Sequence, residues 1–243
     1  MTKQILGTTL LGLMLLTGCS TTQGTQAPNA PASAQLPPVA ATYSRTEVIS
    51  SPDQAKQLLV EGNTRFSSGN ILTKDLSSTR RDALVKNGQH PFAVVVCCSD
   101  SRVPPEELFD QALGDLFIVR VAGNIITPVE LGSVEYGVEH LKSPLVIVLG
   151  HEKCGAVTAT VAGGEMPGSI GAIADKIKPA VVKARATGVT GDALIEKSAD
   201  LNVENALADI TKSPIIQHAM EHNEVKLSGA KYDLDTAVVQ WFN

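Results

Sequence analysis

Three short apolar runs constrain this chain more than anything else in it: FAVVVC at Phe92 to Cys97, LFIVRV at Leu116 to Val121, and LVIVL at Leu145 to Leu149. Each has strand length and is rich in β-branched residues. The first and third lack the polar alternation of a strand with one wet face, so they read as strands covered on both sides. Between them the spacing turns helical. Glu106 to Gln111 reads as a helical turn, AGN at Ala122 to Asn124 breaks the second run, and Glu130 to Leu141 places Leu131, Val134, Val138 and Leu141 on one helical face. Strands alternating with helices predict an α/β domain with a parallel sheet and helices on both of its faces.

The flanks complete the fold class. Pro52 to Phe66 has helical spacing, with Ser51 or Asp53 as the cap, and Ser78 to Lys86 is a second short helix. Cys154 to Ala162 starts another, and residues 170–222 read as largely helical with a break at Gly188 to Gly191. The tail VKLSGAKYDLDTAVVQWF reads as a hairpin turning near Asp233 to Asp235. The expected architecture is α/β: a central, mostly parallel sheet flanked by helices, with an N-terminal helical arm and a C-terminal edge hairpin.

The chain begins differently. Lys3 precedes an apolar stretch, Ile5 to Leu16, of signal-peptide length. It falls short of the roughly 20 residues that a membrane-spanning helix needs. Leu16, Thr17, Gly18 and Cys19 resemble the lipobox of bacterial lipoproteins, in which cleavage leaves a lipid-modified cysteine. The alternative is an ordinary secretory signal with an incidental cysteine. Ser20, where an inner-membrane sorting signal has Asp, resembles the outer-membrane type. The expectation is a periplasmic protein, lipid-anchored to the outer membrane of a Gram-negative bacterium. Residues 20–45 are Ser, Thr, Gln, Ala, Pro and Gly with almost no charge, a flexible tether. Residues 46–243 then suit one domain. A net charge of −5 and 4% aromatic residues argue against nucleic acid as a partner.

With Cys19 set aside, Cys97, Cys98 and Cys154 are an odd number and a poor disulfide framework. Metal ligation accounts for them better. Ligands of parallel sheets sit beyond the carboxyl ends of the strands. Cys98 follows one such end, and His151 and Cys154 follow another. Two thiolates and an imidazole with a fourth position open are the pattern of a catalytic zinc. A structural zinc with a further ligand, or plain buried cysteines, are the competing readings. Continued extension after Cys98 would carry Asp100 and Arg102 on its side, and a helix opening at Glu152 would set His151 and Cys154 on one face. Asp100 could ligate the metal, orient a water on it, or cap a turn. Arg102 could hold it off the metal as a bidentate partner, or Asp-Ser-Arg could be a surface turn. By strand alternation Cys97 points away from Cys98, as a small buried hydrophobe.

The stretch CSDSRVPPEELFDQALGDLFIVRVAGN, followed by GSVEYGVEHL and VLGHEKCGAV, resembles the β-class carbonic anhydrases, from about Gln57 to the C-terminus. The resemblance implies one zinc per chain on Cys98, His151 and Cys154, with Asp100 and Arg102 as a catalytic dyad. The implied reaction is reversible hydration of carbon dioxide to bicarbonate and a proton, by zinc-bound hydroxide that the dyad orients. It implies an obligate homodimer, often paired into a tetramer. Pocket residues carried over are Gln89, which reaches the partner subunit's site, Phe117, Gly123, Tyr136, Gly155 and Ala122, where another member has valine. A subgroup with an inhibitory bicarbonate pocket carries tryptophan where this chain has Val95, so the non-allosteric subgroup is expected; Arg120 belongs to both. If Arg102 released it, Asp100 could take the fourth zinc position at low pH. His90, His140, His218 and His222 are expected at the surface or in packing rather than as proton shuttles. Two rivals are weighed: a hydrolase of carbon disulfide or carbonyl sulfide with the same nucleophile, and a zinc-binding lipoprotein without catalysis. The complete set of ligands and dyad argues against the second.

Overall fold

The computed structural model describes residues 42–242; the signal-like segment 1–19, Cys19 and the tether as far as residue 41 lie outside the described residues. A five-stranded sheet of order β2-β1-β3-β4-β5 forms the centre. β1 (Ala93–Cys97), β2 (Leu116–Arg120), β3 (Leu145–His151) and β4 (Lys226–Tyr232) run parallel, and β5 (Val239–Trp241) closes the edge antiparallel to β4. The tail is therefore the expected edge hairpin, with β4 on β3 and β5 outermost.

Every residue of β1 and β3 is buried, which is why neither run alternates with polar residues. Alternation shows instead in which core each side chain enters. Ala93, Val95 and Cys97 join Leu145, Ile147 and Leu149 on one face, under Ala55 and Leu59 of α1 (Pro52–Ser67). Val94 and Val96 join Val146 and Val148 on the other, under α4 (Pro128–Glu139), α7 (Gly191–Ile210) and α8 (Pro214–Glu221). α1 is capped by Ser51, whose hydroxyl accepts the Gln54 N–H at 3.3 Å. It belongs to the core, whereas α2 (Ser78–Asn87) buries none of its residues. The short α3 (Pro105–Leu108) follows β1; α5 (Gly155–Ala162) and α6 (Ile170–Ala186) follow β3.

Contacts of the domain reach back to Tyr43, within the stretch read as tether. The Tyr43 N–H bonds the Thr73 carbonyl at 2.7 Å, and its own carbonyl accepts the Asp75 N–H at 2.9 Å. The Arg45 guanidinium lies 5.3 Å from the centre of the Phe92 ring and 3.9 Å from Asp115.

Asp110 shows how this end of the sheet is locked. Its side chain is fully buried, 2.6 Å from Arg65 and 2.7 Å from Lys74, and it also accepts the Leu72 N–H. Burial pushes the carboxyl up, but Lys74 and Arg65 outweigh it and the net shift is downward. The carboxylate therefore adds stability that is complete above about pH 4, its unfolded-state value, and is lost as pH falls through its lower folded value. Asp110→Asn should cost about 3–5 kcal/mol in urea unfolding at pH 7, because it takes the carboxylate from Arg65 and leaves Lys74 only the exposed Glu107, 3.5 Å away. The gap to wild type should narrow below pH 4. A gap independent of pH would assign the loss to packing.

Candidate metal centre

The β1–β3 register pairs Cys97 with Leu149, so the residues after these two strands emerge side by side. β1 ends at Cys97 and the chain turns at once. Oδ1 of Asp100 accepts the Arg102 N–H at 2.9 Å, and its carbonyl accepts the Val103 N–H at 3.0 Å. The expected extension through Arg102 is thus a tight turn, favoured because an aspartate can bond the backbone two residues on. The turn folds Arg102 back onto Asp100 as a bidentate pair, Nε to Oδ1 at 3.0 Å and Nη2 to Oδ2 at 2.8 Å. Arg120, from the end of β2, holds the turn by donating to the carbonyls of Cys98 (3.1 Å) and Asp100 (2.7 Å).

The other ligand pair is also built differently from expectation. β3 continues to His151, and no helix opens at Glu152. A two-residue turn follows, with Lys153 at φ 51°, and Cys154 stands immediately before α5. A left-handed lysine is uncommon. Here Oε1 of Glu196, on α7, accepts the Lys153 N–H at 3.1 Å; Oε2 of Glu196 is 3.4 Å from Lys231, which pairs with Asp200 at 2.7 Å.

These turns bring the ligand atoms of Cys98, His151 and Cys154 within 4.8 Å of one another, all three residues buried. Nδ1 of His151 donates to the Glu152 carbonyl at 2.8 Å, which leaves Nε2 as the acceptor facing the thiols. That Nε2 is buried without a hydrogen-bond partner. A buried imidazole nitrogen with a free lone pair beside two thiols fits a metal, and the sulfur and nitrogen donor set suits zinc. The Cys98 Sγ accepts the Gly123 N–H at 3.3 Å, and the Gly123 carbonyl accepts from Asn202 Nδ2 at 2.7 Å. Ile125, Val157 and Ile177 form the apolar backing.

The charges are arranged to match. The hydrogen bond from Cys154 draws the Cys98 thiol down most, the Gly123 N–H adds to it, and burial opposes. Cys154 is pushed up by the same bond and by burial. Cys97, in the opposite core, is pushed up to about 12 by burial and is inert. Asp100 is held well below the usual carboxylate range, chiefly by Arg102. Its Oδ2 lies 3.9 Å from His151 Nε2, beside the three-ligand group but outside it.

Gly123 lies at this centre, in the single helical turn that Ala122 opens, and Gly155 opens α5 directly after Cys154. The other expected pocket residues lie elsewhere in the chain. Phe117 is level with Val94, four residues before Cys98 and so about 13 Å along the strand. Its ring packs on Tyr136, with centroids 5.9 Å apart. Gln89 precedes β1 and lines a separate cavity of about 490 Å³ with Leu84, Gln111 and Leu116. Of the residues that hold the site, Arg120 enters from sequence only as a residue both family subgroups carry, and Glu196 and Asn202 not at all. Arg120 carried a signal, a charge ending an apolar strand; the two α7 residues carried none.

A family model described as carbonic anhydrase matches residues 93–239. A carbonic anhydrase of Mycolicibacterium smegmatis is 45% identical over 145 residues, covering 58% of this chain and 70% of that protein. Carbonic anhydrase 2 of Mycobacterium tuberculosis is 36% identical over 189 residues, covering 76% of this chain and 89% of that protein. A solved tetrameric β-carbonic anhydrase of Sordaria macrospora superposes with a TM-score of 0.64 at 23% identity, over 68% of this chain and 87% of that one.

The Glu196 contact yields a test independent of catalysis. Glu196→Ala should free the Lys153 amide and speed zinc release to a colorimetric chelator, by roughly tenfold or more. Glu196→Gln keeps an acceptor oxygen and should release zinc near the wild-type rate. Equal release from the alanine variant and wild type would show that the turn needs no such support.

Proposed function

The chain belongs to the β-class carbonic anhydrases, zinc enzymes of carbon dioxide hydration, and on that premise we propose that Asp100 and Arg102 are its catalytic pair. The observation that carries this reading is the bidentate Asp100–Arg102 contact beside the three ligands. Zinc, when bound by Cys98, His151 and Cys154, supplies Lewis acidity that brings water ionisation towards neutral pH. Asp100 stays ionised, so it accepts a hydrogen bond and never donates one. Set beside the ligand group, it would accept a hydrogen bond from the nucleophilic O–H and so orient the oxygen lone pair towards carbon dioxide. Arg102 occupies both carboxylate oxygens and so keeps Asp100 from acting as a fourth ligand.

Gln89, Phe117 and Tyr136 enter through a second copy of the chain. Phe117 is set four residues back along the sheet, Tyr136 packs on it and is 47% exposed, and Gln89 lines a cavity that none of the three ligands lines. α2 buries nothing, and Leu76 and Val85 beside and on it are 64% and 86% exposed, a face suited to a partner subunit. The reading of the N-terminus carries over: a lipid on Cys19 holds the domain at the periplasmic side of the outer membrane. Among the described residues no helix is long and apolar enough to cross a membrane. Cys19→Ala should move the protein from the membrane to the soluble fraction on cell fractionation; retention in the membrane would sink the anchor.

The deciding experiment is the carbon dioxide hydration rate against pH, with zinc measured on the same sample. Activity should rise through a pKa near or above 7 with about one zinc per chain. Asp100→Asn should keep the zinc and lose about 10²- to 10⁴-fold in rate. An undiminished rate in that variant would remove Asp100 from the mechanism. Zinc bound without hydration at any pH would move the assignment to another substrate, such as carbon disulfide or carbonyl sulfide, or to a site that Asp100 locks shut.

A further inference from the structure

We propose that His218 and His222 form a second metal site, a surface chelate for an imidazole-preferring divalent transition ion of the Cu²⁺ and Ni²⁺ class. Both residues lie at the C-terminal end of α8, where Ile216 and Ala219 are buried against the domain. That packing leaves the opposite face in water, and both histidines are exposed on it. Their spacing of four residues stacks them on consecutive turns. The ring centres stand 4.2 Å apart.

The second ring is also oriented. The His218 carbonyl accepts the His222 backbone N–H at 3.2 Å and bonds Nδ1 of the same residue at 2.8 Å. A carbonyl only accepts, so Nδ1 carries the hydrogen and Nε2 keeps its lone pair. Metal-binding histidines are commonly fixed in this way, with one nitrogen tied to a carbonyl and the other turned to the ion. Neither ring is bonded to a carboxylate among the described residues, so nothing on the helix competes for the ion. Metal–nitrogen bonds of about 2.0–2.1 Å let one ion bridge rings at this separation.

The site differs in kind from the cysteine centre. It offers two nitrogens and no sulfur, and among the described residues no third Cys, His or carboxylate is grouped with it. Water fills the remaining positions, so binding is exchangeable and follows the general affinity order, with Cu²⁺ above Ni²⁺. The buried thiols select zinc through soft ligands. The two sites therefore sort ions by ligand softness and exposure.

The test is equilibrium dialysis of the zinc-loaded full chain, in detergent and without an affinity tag, against Ni²⁺, which does not oxidise thiols. One equivalent should bind per chain without displacing zinc. His218→Gln and His222→Gln should each weaken it by roughly tenfold or more. His90→Gln, which removes an exposed histidine elsewhere, should leave it unchanged. Undiminished affinity in both α8 variants would overturn the proposal. So would an equal loss in His90→Gln, or Ni²⁺ uptake matched by zinc release.

Discussion

The register between β1 and β3 is the constraint from which the rest follows. It places Cys97 opposite Leu149, so that Cys98 and His151 leave the sheet within reach of one another. Side chains alternate along a strand, and a slip of one residue would exchange the faces. Cys97 would then turn towards the metal centre and Cys98 into the core under α1. Continuous valine, isoleucine and leucine on both faces make that slip costly, because every residue of the two strands is packed. The hydrophobic core sets the coordination chemistry as directly as the ligands do.

Beyond the strand ends the work passes from apolar packing to hydrogen bonds. Two turns, Ser99 to Arg102 and Glu152 to Lys153, have no core of their own. Each is fixed by a side chain from another element, Arg120 from β2 and Glu196 from α7. Asn202 does the same for the Gly123 carbonyl, and through it for the N–H on Cys98. Polar groups aimed at backbone carbonyls and amides hold a site tightly while leaving its own side chains free for chemistry.

Much of this was legible in the sequence, and the limits are instructive. The strands and most helices follow from runs and periodicities of a few residues. The ligand set follows from strand ends. The routes by which the ligands converge do not. Extension was expected after Cys98, and an aspartate-nucleated turn is there instead; a helix was expected at Glu152, and β3 continues to His151. In both cases a local hydrogen bond or a neighbouring strand overrode the simplest continuation. Glu196 lies more than forty residues from the amide it supports, with no pattern linking the two. Phe117 and Tyr136 resemble pocket residues by motif, yet their register sets them well back from the cluster. Motif matching carries no information about which copy of a chain a residue serves.

The attachment of Arg45 fixes which end of the sheet receives the chain. Arg45 packs on Phe92 and Asp115, which stand just ahead of β1 and β2, whereas the metal centre lies beyond the far ends of β1 and β3. A strand of five residues spans about 17 Å. Whatever precedes Arg45 joins the domain at the pole opposite the reactive one. The two ends of the sheet thus divide their tasks: one receives the chain at Tyr43 to Arg45, and the other carries the reactive groups.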